Sequence, residues 1–162
     1  MKRGDRLLAE KVLKHLLIGS QVDGIKFGPH SETTILNFSN YRRQEDSDFV
    51  LSIETVWNLY PKPTDYPSWE EEVPNLTEKE QFQHIWSMRR EKVVNVELGN
   101  QSPHLIIHLE SNKVLFVNGH DPNYECWQLG EEWMSGDWLV VAVPGDEVAV
   151  WCPDDFKQAT IS

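Results

Sequence analysis

A chain of 162 residues is long enough to bury a sizeable core within one domain. Hydrophobic residues make up 40% of it and charged residues 25%, which excludes global disorder. The net charge of −11 repels phosphate backbones, so it argues against nucleic acid as a direct ligand and favours a basic protein partner. No apolar run approaches the ~20 residues of a membrane-spanning helix, so no membrane partner is expected.

The first residues favour a cytoplasmic protein. Met1–Arg6 is charged, and the segment that follows carries Glu10 and Lys11. The uninterrupted apolar stretch of a secretion signal is therefore missing from this part of the sequence. In a reducing cytoplasm we expect Cys126 and Cys152 to be free thiols inside or beside the core.

The first part of the chain predicts one helix followed by strands. Apolar residues at helical spacing predict a helix over 5–17, which stops at Gly19. Alternating apolar residues predict strands at 21–27, 33–38 and 49–57. Residues 60–76 hold four of the nine prolines, so they predict an irregular connector.

A capping motif marks the start of a second helix. Thr77-Glu78-Lys79-Glu80 has the S/T-x-x-E form of a capping box, with Thr77 as N-cap and Glu80 at N3. The helix should end near Arg90. The second set of strands is predicted at 92–98, 104–109, 113–117 and 124–129. A terminal hairpin is predicted over 138–152, with its turn at Pro144-Gly145-Asp146.

Two segments resemble each other at a constant spacing of 71 residues. Residues 21–38 match residues 92–109, and Trp57-Asn58-Leu59 matches Trp127-Gln128-Leu129 one residue out of step. The matched positions include Val22 with Val93, Gly28 with Gly99, Ile35 with Ile106 and Phe38 with Leu109. A repeat of this period is typical of a supersecondary unit that cannot bury its apolar face alone. The alternative is chance similarity between two hairpins.

These patterns predict an α+β fold in a single domain over residues 1–162. We expect mostly antiparallel sheets of about nine strands, with two main helices. Module copy one covers about 5–59, the connector 60–76 and copy two about 77–129, followed by the terminal hairpin. Each copy is too small to be stable by itself, so both are expected to share one core.

Six of the seven tryptophans fall into two groups. Trp57, Trp86, Trp127 and Trp151 lie in apolar-periodic segments and are expected in the core. Trp69 and Trp133 stand among glutamates, and an aromatic ringed by carboxylates is typical of an interface anchor with an acidic rim. The predicted partner-binding residues are Trp69, Glu70, Glu71, Glu72, Glu131, Glu132 and Trp133. The alternative is that each tryptophan only pins its loop onto the domain.

The size, the acidity and the Trp/Glu segments at 67–72 and 131–134 give the chain a resemblance to a class of inhibitors. It resembles the immunity proteins of bacterial polymorphic-toxin systems, including contact-dependent growth inhibition. The resemblance implies a cognate toxin domain as partner, often a basic nuclease, and no cofactor. It also implies neutralisation by occlusion, in which carboxylates mimic the toxin's phosphate ligand while Trp69 or Trp133 fills a pocket.

The loop at 119–126 supports a different hypothesis, a small hydrolase. His120 would act as general base, Asp121 or Glu125 would orient it, and Cys126 would be the nucleophile. The same Gly, Asp, Pro and Asn residues also suit an ordinary loop between strands.

Two further possibilities concern metals and self-association. His104 and His108 share a strand face but lie about 13 Å apart along it, too far for one metal ion, so no metal site is predicted. A homo-oligomeric scaffold, in which tryptophans bury against a second copy, is the last alternative. The sequence leaves the oligomeric state open.

Overall fold

The computed structural model describes residues 1–30, 33–41, 48–67, 72–131 and 136–161. These residues form three helices: α1 (Arg3–Leu17), α2 (Glu78–Met88) and α3 (Asp154–Ile161). They also form ten strands: β1 (Gln21–Phe27), β2 (Thr34–Ser39), β3 (Asp48–Ile53), β4 (Trp57–Tyr60), β5 (Val93–Leu98), β6 (Leu105–Leu109), β7 (Val114–Val117), β8 (Trp127–Gly130), β9 (Leu139–Val143) and β10 (Glu147–Trp151). The predicted α+β class with antiparallel sheets is confirmed.

The two sheets are built on a similar plan. The larger sheet has the strand order β1-β2-β3-β8-β9-β10, and the smaller has the order β4-β7-β6-β5. Each contains three consecutive strands, β1–β2–β3 or β5–β6–β7, and then a fourth strand from the other part of the chain. The chain therefore passes between the sheets twice, from β3 to β4 and from β7 to β8.

The registers of the β1–β2 and β5–β6 hairpins agree at the spacing of 71 residues. The matching pairs are Val22–Phe38 with Val93–Leu109, Ile25–Leu36 with Val96–Ile107, and Phe27–Thr34 with Leu98–Leu105. Both hairpins carry a register shift directly after the first of these pairs. Gln21 and Lys92, which occupy matching positions, form an antiparallel bridge. The two hairpins thus begin next to each other.

The helices pack against strands of both sheets. α1 contacts β5 and β10, and its buried residues are Ala9, Val12, Leu13, Leu16 and Leu17. α2 contacts β1 and β4, and its buried residues are Gln81, Ile85 and Met88. The predicted capping box of α2 is confirmed: the Glu80 amide donates to Thr77 Oγ1, and the Thr77 amide donates to Glu80 Oε1. No helix in the described ranges is long and apolar enough to cross a bilayer.

The prediction of one strand over 49–57 was wrong. β3 ends at Ile53 in the larger sheet, and β4 begins at Trp57 in the smaller one. Glu54 and Val56 form the corner: the Glu54 amide donates to the Cys126 carbonyl at 2.9 Å, and the Asn118 amide donates to the Val56 carbonyl at 3.0 Å. The apolar pattern runs on through this corner without glycine or proline, so nothing local marked the break.

Two tryptophans predicted to be buried are exposed. Trp86 is 61% exposed and Trp151 is 54% exposed, whereas Trp57 and Trp127 are buried as predicted. Trp86 lies outside the buried side of α2, and Trp151 ends the edge strand β10. Periodic spacing identifies an apolar stripe, but what covers that stripe depends on tertiary structure.

Helix α3 was not predicted from the sequence. Asp154 and Asp155 lie in its first turn, where acidic side chains interact favourably with the amide-rich end of a helix. Phe156 packs edge-on against Trp138, with ring centroids 5.1 Å apart, and also contacts His15 of α1 at 5.0 Å. The third helix therefore covers part of α1.

Candidate functional site

The predicted partner-binding residues lie mostly beyond what the structure describes. Trp69, Glu70, Glu71, Glu132 and Trp133 fall outside the described residues. Glu72 is exposed and lies within the connector after β4, and Glu131 is half-buried directly after β8. Because β4 and β8 belong to different sheets, the two acidic segments follow strands of different sheets.

The connector is attached to the smaller sheet. Tyr66 stacks on Phe116 with ring centroids 6.2 Å apart, and Val73 is buried against Ile106 and Phe116. Strand alternation places these two sheet residues on the face opposite the main core, to which Leu105 and Leu115 point. The acidic residue Glu72 thus stands beside a second, smaller apolar cluster.

The 119–126 loop does not assemble the predicted catalytic arrangement in full. His120 Nδ1 lies 2.6 Å from Asp146 Oδ1, on the β9–β10 turn, and this contact replaces the predicted one with Asp121. Asp121 Oδ1 instead accepts hydrogen bonds from the amides of Asn123 and Tyr124, at 2.7 and 2.9 Å. Asp121 therefore shapes the loop in the way that aspartate commonly does in turns.

The thiol of Cys126 is poorly suited to nucleophilic attack at neutral pH. Its side chain is 2% exposed, and burial, with a contribution from the charge of Asp121, raises the pKa of Cys126 to about 11. Thiolate is the reactive form of cysteine, so a raised pKa suppresses reactivity. A cavity of about 350 Å³ borders Cys126, Asp121 and Thr55, and its described lining does not include His120.

Helix α2 presents an aromatic surface that includes Trp86, which was predicted to lie in the core. Phe82 is 46% exposed and Trp86 is 61% exposed, and their rings stack with centroids 6.4 Å apart. The guanidinium carbon of Arg89 lies 4.9 Å from the centroid of the Trp86 ring, within the range of a cation–π contact. We call Phe82, Trp86 and Arg89 the α2 face.

A shallow groove adjoins the α2 face. It has a volume of about 150 Å³ and runs between α2 and β1. Its other lining residues are Val22, Asp23, Gly24, Ile25 and Ile85. The surface therefore combines stacked aromatic rings, a cation and an apolar depression, which are typical features of a protein-binding patch.

A larger cavity lies at the other end of α2. It has a volume of about 520 Å³ between β4 and the start of the helix, and we call it the β4 cavity. It is lined by Glu54, Thr55, Val56, Trp57, Pro74, Asn75, Leu76, Thr77, Glu78 and Gln81. Gln81 lines the β4 cavity and directly precedes Phe82 of the α2 face. Helix α2 therefore contributes residues to both.

The spacing of two aromatic residues is the sequence signal that indicates the α2 face. Phe82 and Trp86 are four residues apart, so they form an i,i+4 pair on a stripe displaced from that of Gln81, Ile85 and Met88. Two stripes of apolar residues on one short helix leave one of them for a second partner.

A comparison of the chain with protein-family models, with curated proteins and with solved structures found no match.

Proposed function

We propose that the chain is an acidic binding protein that neutralises a cognate toxin domain in the bacterial cytoplasm by occluding its active site. The observation that carries this proposal is the exposed α2 face. Tryptophan and arginine are enriched among the residues that dominate protein–protein binding energy, and Trp86 and Arg89 are in contact here. An exposed pair of stacked rings beside a groove suits a binding surface better than a catalytic site.

Electrostatics supports a basic partner. The net charge of −11 would accelerate encounter with a positively charged domain, such as one that binds a nucleic acid. In this proposal carboxylates, among them those of Glu72 and Glu131, take the place of the phosphates that the toxin binds. Trp69 and Trp133 remain predicted anchors beside them.

The hydrolase alternative has weaker support. Asp121 is engaged with loop amides, and the Cys126 thiol is buried with a raised pKa. What favours it is the short contact between His120 and Asp146, which resembles the pairing of a base with an orienting carboxylate. Loss of a measurable hydrolase activity in His120→Ala, without loss of folding, would favour this alternative.

We also propose that the chain is a duplicated module whose two copies share one core. The equal registers of the β1–β2 and β5–β6 hairpins support this idea, as does the bridge between Gln21 and Lys92. A further support is that Gly19 and Arg90, again 71 residues apart, both have positive φ, at 87° and 68°. Two copies of one module would be expected to share these details.

Growth rescue tests the proposed function. The genes next to that of this chain would be searched for a toxin-like domain, and such a domain would be expressed in a bacterial host, alone and together with this chain. We expect the chain to restore growth and to bind the purified domain. An adjacent domain that remains toxic and forms no complex with the chain would overturn the proposal.

Surface variants locate the interaction. The double variant Phe82→Ala/Trp86→Ala should weaken binding by at least about thirtyfold, corresponding to the loss of ~2 kcal/mol at a binding hot spot. Leu7→Ala is a matched control, because Leu7 is an apolar residue that is 49% exposed on a different helix. The control should bind like the unmodified chain.

A further inference from the structure

Strand β1 forms one edge of the larger sheet, and the second half of that edge is open. Only the start of β1 is paired on its far side, where Gln21 and Val22 form isolated bridges with Lys92 and Arg89. From Gly24 to Phe27, no strand within the described ranges pairs with the side of β1 that faces away from β2. An open strand edge is a common place for an extended segment of another protein to add.

Alternate residues of this open stretch turn their main-chain groups outward. In an antiparallel pair, every second residue of a strand bonds to the partner strand, and the residues between them point the other way. The Gly28 amide donates to the Thr33 carbonyl at 3.1 Å, at the end of the β1–β2 pairing. By this alternation, the amides and carbonyls of Phe27 and Ile25 point away from β2.

The corresponding edge of the smaller sheet is closed by side chains of α1. Leu98 of β5 lies 71 residues after Phe27, and its main-chain groups point outward as well. Its carbonyl accepts a hydrogen bond from Arg6 Nη2 at 2.8 Å, and its amide donates to Glu10 Oε2 at 3.1 Å. Arg6 Nε also donates to the Gly99 carbonyl at 3.1 Å. Polar side chains of a helix therefore occupy the place that an added strand would need.

Helix α2 lies beside the open edge of β1 but leaves it open. In the described part of the chain, the Gln81 side chain bonds to Thr34 of β2 at 2.9 Å, and no α2 side chain bonds to the main chain of β1. Phe82 and Trp86 instead form an apolar wall, and four consecutive residues of β1, 22–25, line the groove opposite them. The groove thus combines an open strand edge with two exposed aromatic rings.

The lining of the groove favours apolar side chains over charge of either sign. It contains one acid, Asp23, and one base, Arg89. Asp23 accepts a hydrogen bond from the Tyr41 hydroxyl, and Arg89 lies over the Trp86 ring. A strand that added to β1 would turn every second side chain toward the wall of the groove. Large apolar residues at alternate positions would fit it best.

We propose that an extended segment of the partner protein adds to β1 as a strand, in the groove between β1 and α2. Its main chain bonds to the outward amides and carbonyls of Ile25 and Phe27, and its alternate apolar side chains pack against Phe82 and Trp86. This assignment rests on the proposed function, because it takes the segment to belong to the protein that the α2 face binds. It adds that the partner is recognised through its backbone as well as its side chains.

A peptide selection tests the groove without the partner in hand. A phage library of random twelve-residue peptides is selected on the full chain, and the strongest binders are synthesised. We expect the enriched peptides to carry large apolar residues two positions apart. In NMR spectra, they should shift the amide signals of Ile25 and Phe27 and the indole signal of Trp86. The indole signal of Trp151 is the control, because Trp151 is 54% exposed on β10, the opposite edge of the same sheet, and should not shift.

Methylation of the peptide backbone distinguishes strand addition from apolar contact alone. Each amide nitrogen of the strongest peptide is methylated in turn, which removes one donor without changing a side chain. We expect binding to weaken by about threefold to tenfold at every second position opposite β1 and to change little at the positions between them.

Substitutions at Phe27 make the same distinction on the protein. Phe27→Ala removes the ring, whereas Phe27→Pro also removes the outward amide and leaves the bonds to β2 in place. We expect Phe27→Pro to bind the peptides about threefold to tenfold more weakly than Phe27→Ala. Trp86→Ala should weaken binding by about tenfold or more, and Trp151→Ala should leave it unchanged. Unfolding by urea verifies that each variant is folded.

The contradicting outcomes are distinct from those of the proposed function. A selection without enriched sequences, an even response to backbone methylation, or peptide-induced shifts at β10 would overturn the assignment even if the chain neutralises its toxin. A second copy of the chain is the other candidate occupant, so sedimentation as a dimer that Phe27→Pro dissociates would also overturn it. Conversely, peptide addition to β1 together with failure to neutralise a neighbouring toxin would overturn the proposed function alone.

Discussion

Trp57 and Trp127 occupy corresponding places in the two sheets, yet within the described residues only Trp127 has an acceptor for its indole N–H. Each tryptophan begins a fourth strand, and each pairs with the last residue of a third strand, Val117 or Ile53. The Trp127 indole is bound to the Pro103 carbonyl, whereas that of Trp57 has no partner among the described residues. The two indole rings are almost equally buried. A comparison of the two tryptophans therefore measures the contribution of one hydrogen bond.

This difference predicts unequal effects of the same substitution. Trp127→Phe removes the donor and leaves a buried carbonyl unsatisfied, whereas Trp57→Phe removes a donor that was already unsatisfied. Both variants lose the same ring volume, so we expect Trp127→Phe to cost about 1–2 kcal/mol more in the free energy of unfolding than Trp57→Phe. Urea unfolding of the two variants provides the comparison, and equal losses would show that the Pro103 bond contributes nothing.

Gly19 and Arg90 lead to a second prediction, because they share a left-handed backbone conformation. The conformation suits glycine, but it strains a residue with a side chain. Replacing the exposed Arg90 with glycine should therefore raise the free energy of unfolding by about 0.5–1 kcal/mol, and Gly19→Ala should lower it by about 1 kcal/mol. Loss of stability in Arg90→Gly would mean that the arginine side chain contributes more than the strain costs.

The contact between His120 and Asp146 predicts a dependence of stability on pH. Burial raises the pKa of Asp146, but hydrogen bonds from His120 and Ser102 and the charge of nearby histidines outweigh it and hold the pKa below its ordinary value. A carboxylate with a lowered pKa in the folded state stabilises above its unfolded pKa, and that stability is lost as the pH falls through the folded value. Unfolding temperatures should therefore fall more steeply below about pH 4 for the unmodified chain than for Asp146→Asn.

Asparagine is a suitable replacement at this position because Asp146 has a φ of 63°, and asparagine tolerates the left-handed region. Asp65→Asn, in the exposed connector, serves as the comparison. Parallel pH profiles for all three proteins would show that the contact with His120 does not stabilise the fold.

Cys126 and Cys152 should differ in reactivity. Burial raises the pKa of both thiols, but Cys126 lies in the core and Cys152 is only half-buried. With a thiol reagent in slight excess at about pH 8, we expect Cys152 to be modified first. In Cys152→Ser the remaining thiol should react only as fast as the protein unfolds. Rapid modification of Cys126 in the folded variant would instead support the hydrolase alternative.

The sequence predicted those features that depend on local chemistry. The capping box at Thr77 needs only the four residues that form it, and the β1–β2 and β5–β6 hairpins follow from alternation over short segments. The prediction that Cys126 and Cys152 are free thiols is confirmed.

Features set by the meeting of distant segments could not be predicted in this way. At the corner, the Glu54 amide donates a hydrogen bond to the Cys126 carbonyl, and these two residues are far apart in the sequence. Trp86 is exposed because no described element covers it, whereas His15 of α1, 71 residues earlier, packs against Trp138 and Phe156. Helix α3 was missed because Asp154 and Asp155 were interpreted as a charge cluster and not as the first turn of a helix.

Hydrogen exchange of the complex with the neighbouring toxin domain tests the central claim most directly. The account predicts that amide exchange slows in α2 when the toxin domain binds, and that Phe82→Ala/Trp86→Ala abolishes this slowing. A complex in which exchange in α2 is unchanged, or slows only in the 119–126 loop, would contradict it.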